Sequence, residues 1–215
     1  NIGDLDGDGV NDLAVGAPGD NGGGNNRGAI YIIFMKTDGT VKETKEINDS
    51  TANGPNLNSH KHFGFSVANI GDLDGDGVND LAVGQHLANT IHIIFMNIDG
   101  SIKDKEEINS SAISSLAGGD RFGVSVANIG DLDGDGVNDL AVGAHRDNAA
   151  EGTGDGDDRG AVHIIFMNTN GTVKDTEKID DSTANGPNLA DEDQFGVTVA
   201  NIGDLDGDGV NDLAV

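Results

Sequence analysis

The stretch NIGDLDGDGVNDLAV, residues 1–15, returns unchanged from Asn69, Asn128 and Asn201. The copies start 68, 59 and 73 residues apart, and the segments between them repeat the same parts in the same order. Self-similarity at a near-fixed period marks a repeat architecture, in which each period is one supersecondary unit. Before each later copy stands an apolar stretch opened by Phe-Gly: FGFSVANI from Phe63, FGVSVANI from Phe122, FGVTVANI from Phe195. After each copy comes LAVG from Leu13, Leu81 and Leu140, or LAV from Leu213. A third run follows a variable loop: GAIYIIFM from Gly28, NTIHIIFM from Asn89, GAVHIIFM from Gly160.

Asp38-Gly39, Asp99-Gly100 and Asn170-Gly171 then suggest two-residue type I′ hairpin turns. A polar run such as TVKETKEI from Thr40 closes the period. These runs read as four short antiparallel strands, with no helical periodicity. The third is apolar on both faces and is expected inside a stack. The fourth carries Lys and Glu and suits a solvated edge. One four-stranded sheet cannot bury both faces alone, so neighbours are required, as in a propeller or another stacked-sheet array. The fold class expected is all-β, a propeller-like array of four-stranded antiparallel blades that is incomplete in this chain.

The units divide at 1–62 (the DLDGDGVND loop and strands two to four), 63–121 and 122–194 (full blades), and 195–215 (strand one, loop, strand two). The chain opens and closes inside the same motif. That reads as an excerpt of a longer repetitive chain, or as a unit completed by neighbouring copies. Loops Ala17–Arg27 and Ala144–Arg159 are long, whereas Gln85–Ala88 is short; STANGPNL at Ser50–Leu57 and Ser182–Leu189 gives way to SSAISSLAGG in the middle unit. The units thus alternate A-B-A.

Composition sets limits. Among 215 residues, 38 Asp+Glu oppose 12 Lys+Arg, a formal charge of −26. Polyanions and anionic lipid surfaces would be repelled, which excludes nucleic acid and headgroup binding. No apolar run reaches membrane-spanning length, so no membrane insertion is expected. The absence of Cys excludes disulfides and thiolate sites. High charge with only 4% aromatics is also a disorder-like profile, which the arrangement of the apolar residues must overcome.

Sixteen of the acidic residues fall at positions 1, 3, 5 and 9 of the four loops. They are Asp4, Asp6, Asp8, Asp12; Asp72, Asp74, Asp76, Asp80; Asp131, Asp133, Asp135, Asp139; and Asp204, Asp206, Asp208, Asp212. Alternating carboxylates with intervening glycines such as Gly7 and Gly9 let the backbone curl so that every second side chain points inward. The seventh residue, Val10, can add its carbonyl oxygen. Hard oxygen donors without nitrogen or sulfur select Ca²⁺, with Mg²⁺ disfavoured by its octahedral demand. Up to four Ca²⁺ sites are expected, and four ions would offset eight of the charges. The loop is similar to the first half of an EF-hand, but position twelve is Val15 rather than Glu and no flanking helices are readable.

The order Phe-Gly, then DxDGDGxxD, then Gly16-Ala17-Pro18 resembles the FG-GAP repeat of integrin α-subunit β-propellers and related microbial extracellular proteins, over essentially the whole chain. The resemblance implies one four-stranded blade per repeat, with the calcium loop joining strands one and two. It implies metal ligation by the four aspartate sets plus the carbonyls of Val10, Val78, Val137 and Val210. Gly-Ala-Pro becomes Gly84-Gln85-His86 and Gly143-Ala144-His145 in later units.

No nucleophile elbow or catalytic acid pair stands outside the loops, so no catalytic residue or organic cofactor is assigned. His92 and His163 take the place of Tyr31 and read as packing residues. His86 and His145 follow the second strand, and His60 and His62 precede Phe63. Arg27 and Arg159, at matching loop ends, are expected to pair with nearby Asp. Asn48, Asn109 and Asn170 head glycosylation sequons. The leading expectation is a secreted or cell-surface, non-enzymatic protein of calcium-rigidified blades, acting in adhesion or as a fibre unit. Unpaired edges favour self-association into a ring or filament. The alternative is a discrete integrin-like or lectin-like propeller with a protein or glycan ligand. A calcium-dependent hydrolase or polysaccharide lyase domain stands third.

Overall fold

A computed structural model of the chain describes residues 1–147 and 158–215. Thirteen strands make up four antiparallel sheets, each a meander in chain order. The first sheet holds β1 (Leu13–Ala17), β2 (Ala29–Met35) and β3 (Val41–Ile47). The second holds β4 (Ser66–Gly71), β5 (Asp80–Gln85), β6 (Thr90–Met96) and β7 (Ile102–Ile108). The third holds β8 (Ser125–Gly130), β9 (Asp139–Ala144), β10 (Ala161–Met167) and β11 (Val173–Ile179). The last described pair is β12 (Ala200–Gly203) and β13 (Asp212–Ala214). One short 3₁₀ turn, His86–Ala88, is the helical content of the described residues.

Period-two alternation explains the stack. On β6, Ile91, Ile93 and Phe95 face the third sheet, while Ile94 and Met96 face the first. All seven β6 residues are buried, as the doubly apolar pattern requires. Three cores result, one between each pair of successive sheets. Each fully buried Ile or Leu in them contributes about 1.5–3 kcal/mol. The polar β3, β7 and β11 form the outer edges, and inner strands β4, β8 and β12 lie side by side. This is the arrangement of consecutive propeller blades.

The Phe-Gly and LAVG motifs meet between blades. Phe63, fully buried, bridges to Gly28 of the preceding blade, donating its N–H to Arg27 O at 2.8 Å. Phe195 repeats this with Gly160 and Arg159. Beside it, Gly64 approaches Gly16 so closely that a Cβ on Gly16 would overlap the Gly64 carbonyl oxygen; Gly84 with Gly123 and Gly143 with Gly196 do the same. The two glycine positions are therefore one feature, a backbone-to-backbone contact that leaves no room for a side chain.

The hairpins differ from the type I′ expectation. Gly39, Gly100 and Gly171 have φ of 80°, 75° and 80°, whereas the preceding Asp or Asn does not take positive φ. Lys36 N–H bonds to Thr40 O, and Gly39 N–H bonds to Lys36 O. The loops are thus three residues long, with glycine alone in the left-handed position, and the register slips beside them at Phe34/Met35. The expected A-B-A loop alternation falls in part on 148–157, outside the described residues.

Candidate metal centre

Each aspartate loop precedes strand two of its blade, joining it to strand one in the second, third and fourth units, and is wound by its own side chains. Asp4 takes the N–H of Asp8 on Oδ1 (2.9 Å) and that of Gly9 on Oδ2 (2.8 Å). Asp6 and Asp8 use Oδ1 to accept the N–H two residues on, from Asp8 and Val10. Gly7 and Gly9, at φ 75° and 89°, supply the left-handed turns. Asp12, 1% exposed, lies beneath the loop and accepts N–H groups from Leu5 (3.0 Å) and Met35 (2.9 Å), tying the loop to strand three. Asp80 repeats this with Leu73 and Met96, and Asp139 with Leu132 and Met167. Burial pushes the Asp80 carboxyl up to about 6, against the lowering effect of its two backbone donors. Asp139 is raised for the same reason. A buried carboxylate pressed toward neutrality is one that a nearby cation would favour in its charged form.

Not all four carboxylates of a loop converge. Ligand oxygens of Asp4, Asp6 and Asp8 lie within 4.8 Å of one another in the first loop. In the others the trios are Asp72, Asp74, Asp80; Asp131, Asp133, Asp139; and Asp204, Asp206, Asp212. Asp12, Asp76, Asp135 and Asp208 lie outside these trios. Among the described residues these four clusters are the groupings of His, Asp and Glu that could share an ion. An all-oxygen donor set on a glycine-turned loop fits a hard divalent cation. The side chains of Val78 and Val137 pack against the cores.

Two features escaped the sequence reading. Asn79 Nδ2 donates to Ile2 O across 77 residues, at 2.9 Å, and Asn138 to Ile70 O and Asn211 to Ile129 O do likewise. The last three loops are therefore each fastened to the backbone just before the loop of the preceding blade; the identity of Asn11, Asn79, Asn138 and Asn211 across the copies was the available signal. Lysines of the outer strands form the second. Lys42 Nζ reaches Asp6 (2.8 Å) and Asp8 (2.5 Å), Lys103 reaches Asp74 and Asp76, and Lys174 reaches Asp133 and Asp135. These bonds raise the lysine ammoniums and hold Asp8, Asp76 and Asp135 below the usual carboxylate range. All three lysines stand three residues after a hairpin glycine, which was the legible sign.

Arg27 pairs with Asp49, and Arg159 with Asp181 and Asp191. His92 is buried edge-on to Phe63 with Nε2 3.1 Å from Gln85, and burial lowers its pKa to about 4. At the equivalent place Tyr31 meets Asp20, and His163 meets Asp147 at 3.0 Å, with Lys178 on the same carboxylate. His62 and His86 lie 5.9 Å apart between ring centroids, with Phe65 on His86. Asn48, the first sequon residue, is 8% exposed with its amide bonded to Glu46. No helix of the described residues is long and apolar enough to cross a membrane.

Comparison with known proteins agrees with this geometry. Residues 2–33 and 122–165 match the FG-GAP repeat family, and residues 72–142 match the FG-GAP-like repeat. Integrin alpha-PS5 of Drosophila melanogaster is 37% identical over 146 residues, covering 66% of this chain and 14% of that protein. Integrin alpha-11 of Homo sapiens is 38% identical over 151 residues, 66% of this chain and 12% of that protein. Integrin alpha pat-2 of Caenorhabditis briggsae is 29% identical over 238 residues, 99% of this chain and 17% of that protein. The chain spans less than a fifth of the length of these relatives.

Proposed function

Because the chain belongs to the FG-GAP repeat family, we propose that it is a calcium-braced stack of propeller blades that works outside the cell in adhesion. Four preformed oxygen-donor loops, the last three each fastened to the backbone just before the preceding loop by Asn79, Asn138 and Asn211, carry this reading. Calcium held by Asp4, Asp6, Asp8 and Asp12 and their counterparts, with the carbonyls of Val10, Val78, Val137 and Val210, would neutralise the carboxylates that burden the metal-free loop. Millimolar extracellular calcium keeps even weak sites of this kind filled. The integrin alpha names of the relatives support a protein ligand and an adhesive role. We assign the chain no reaction.

A further blade against the last one is supported by a separate observation. Leu205 is 72% exposed, whereas its counterparts Leu5 and Leu73 are each 4% exposed beneath a neighbouring blade. Ile202, 43% exposed, contrasts likewise with Ile70 at 1%. This face fits a further blade of the same kind, in the same chain or in another copy; between copies, a head-to-tail contact closes into a ring or runs on as a filament. Electron micrographs of the protein in calcium and in chelator test the reading. Ordered discs or fibres that loosen on chelation are expected; particles and melting temperature indifferent to calcium would refute it.

A further inference from the structure

We propose that Lys42, Lys103 and Lys174 are tethered competitor cations that set the calcium affinity of the loops they touch. The inference rests on the loops binding a divalent cation, as proposed above. In the first loop both oxygens of Asp4 accept backbone N–H groups, as do both oxygens of Asp12. The Oδ1 atoms of Asp6 and Asp8 do the same. Two carboxylate oxygens carry no backbone donor, Asp6 Oδ2 and Asp8 Oδ2, and Lys42 Nζ holds both. Lys103 and Lys174 hold the same two atoms in their loops, at 2.5–2.6 Å. The ammonium thus occupies the oxygens most available to a metal.

Each lysine side chain is 38–40% exposed, so it can swing into water when an ion arrives. Calcium entry is then an exchange. The ion gains two carboxylate oxygens and the loop loses its ammonium, so net charge in the site rises by one rather than two. Lysine suits this task because its charge is a compact point on a flexible stem, without the fixed fork of arginine.

The test is a calorimetric titration of the chelator-stripped chain with CaCl₂, comparing wild type with the triple variant K42M/K103M/K174M. Methionine keeps the length and removes the charge. Calcium entry breaks the two half-exposed ion pairs of each lysine, together worth roughly tenfold in affinity, so three sites should tighten about tenfold when the ammonium is removed. K45M, which removes a charge that faces Asp99 outside the loops, should shift affinity less than twofold. K42R/K103R/K174R should restore weak binding. The thermal melt provides a second readout: the triple Met variant should gain more from calcium than wild type does. Unchanged or weaker affinity in the Met variant, with wild type still binding, would overturn the proposal alone. Absence of calcium binding in wild type and variants alike would remove the metal reading and this one with it.

Discussion

Gly84→Ala probes the contact on which the stacking of blades depends. A Cβ at Gly84 would overlap both the carbonyl oxygen of Gly123, in the next blade, and Ser66 Oγ within its own. The Gly123 oxygen is backbone and cannot turn aside, so the second and third blades must move apart. Ser66 Oγ–H donates to that same carbonyl at 2.8 Å, and this bond is lost as the blades separate, at about 1 kcal/mol. Overpacking a close-packed contact costs about 1–3 kcal/mol more. The expected total is about 2–4 kcal/mol. Urea denaturation in calcium, followed by far-UV circular dichroism because the chain has no Trp and a single Tyr, measures it. Gly118→Ala, which meets no atom within 4 Å, should stay within about 0.5 kcal/mol of wild type. The Ser66→Ala and Gly84→Ala effects should not add, since both act on the Gly123 carbonyl. A Gly84→Ala variant as stable as Gly118→Ala would refute the account of the paired glycine motifs.

Other expectations follow from single sites. Asp80→Ala strips the acceptor from the Leu73 and Met96 N–H groups and should cost about 2–4 kcal/mol in calcium, read by the same denaturation; a change under about 1 kcal/mol would contradict the buttressing role. Asn138→Ala leaves the Ile70 carbonyl without its donor and should cost about 1 kcal/mol, with hydrogen exchange rising locally where the second and third loops meet. His92, lowered from 6.5 to about 4 by burial, is neutral in the fold even though Glu107 stands 3.7 Å from Nδ1. The unfolded chain takes up that proton from about pH 6.5 downward and the folded chain only near pH 4, so stability falls as pH drops through this window. The loss from His92 is about 3 kcal/mol, and the difference between wild type and His92→Gln at pH 7 and pH 4.5 should show most of it.

Much of this architecture was legible in the sequence because repetition multiplies weak signals. One LAVG run is ambiguous, but three copies in fixed order with Phe-Gly and GAIYIIFM-like runs fix the meander, since each strand alternates around cores that its neighbours complete. The aspartate loop was readable for a local reason: its bonds run between residues two to five apart. What stayed hidden depends on distance. Asn79 meets Ile2, and Lys42 meets Asp6, only once sheets have formed and stacked. The hairpin turns were misread because Asp-Gly suits both two- and three-residue loops, and only the register beside Met35 distinguishes them. The ninth aspartate was read as a ligand, while its burial and its hold on Leu5 and Met35 emerged from the third strand lying beside the loop.

The central claim is that these loops are metal sites that brace the stack. Its most direct test is the stoichiometry of calcium binding to the chelator-stripped chain by isothermal titration calorimetry, with magnesium as the comparison ion. Three to four calcium ions per chain are expected, with weaker binding of magnesium and a rise in melting temperature that follows site occupancy. Fewer than one ion per chain, or a melting temperature that stays flat as calcium is added, would contradict it.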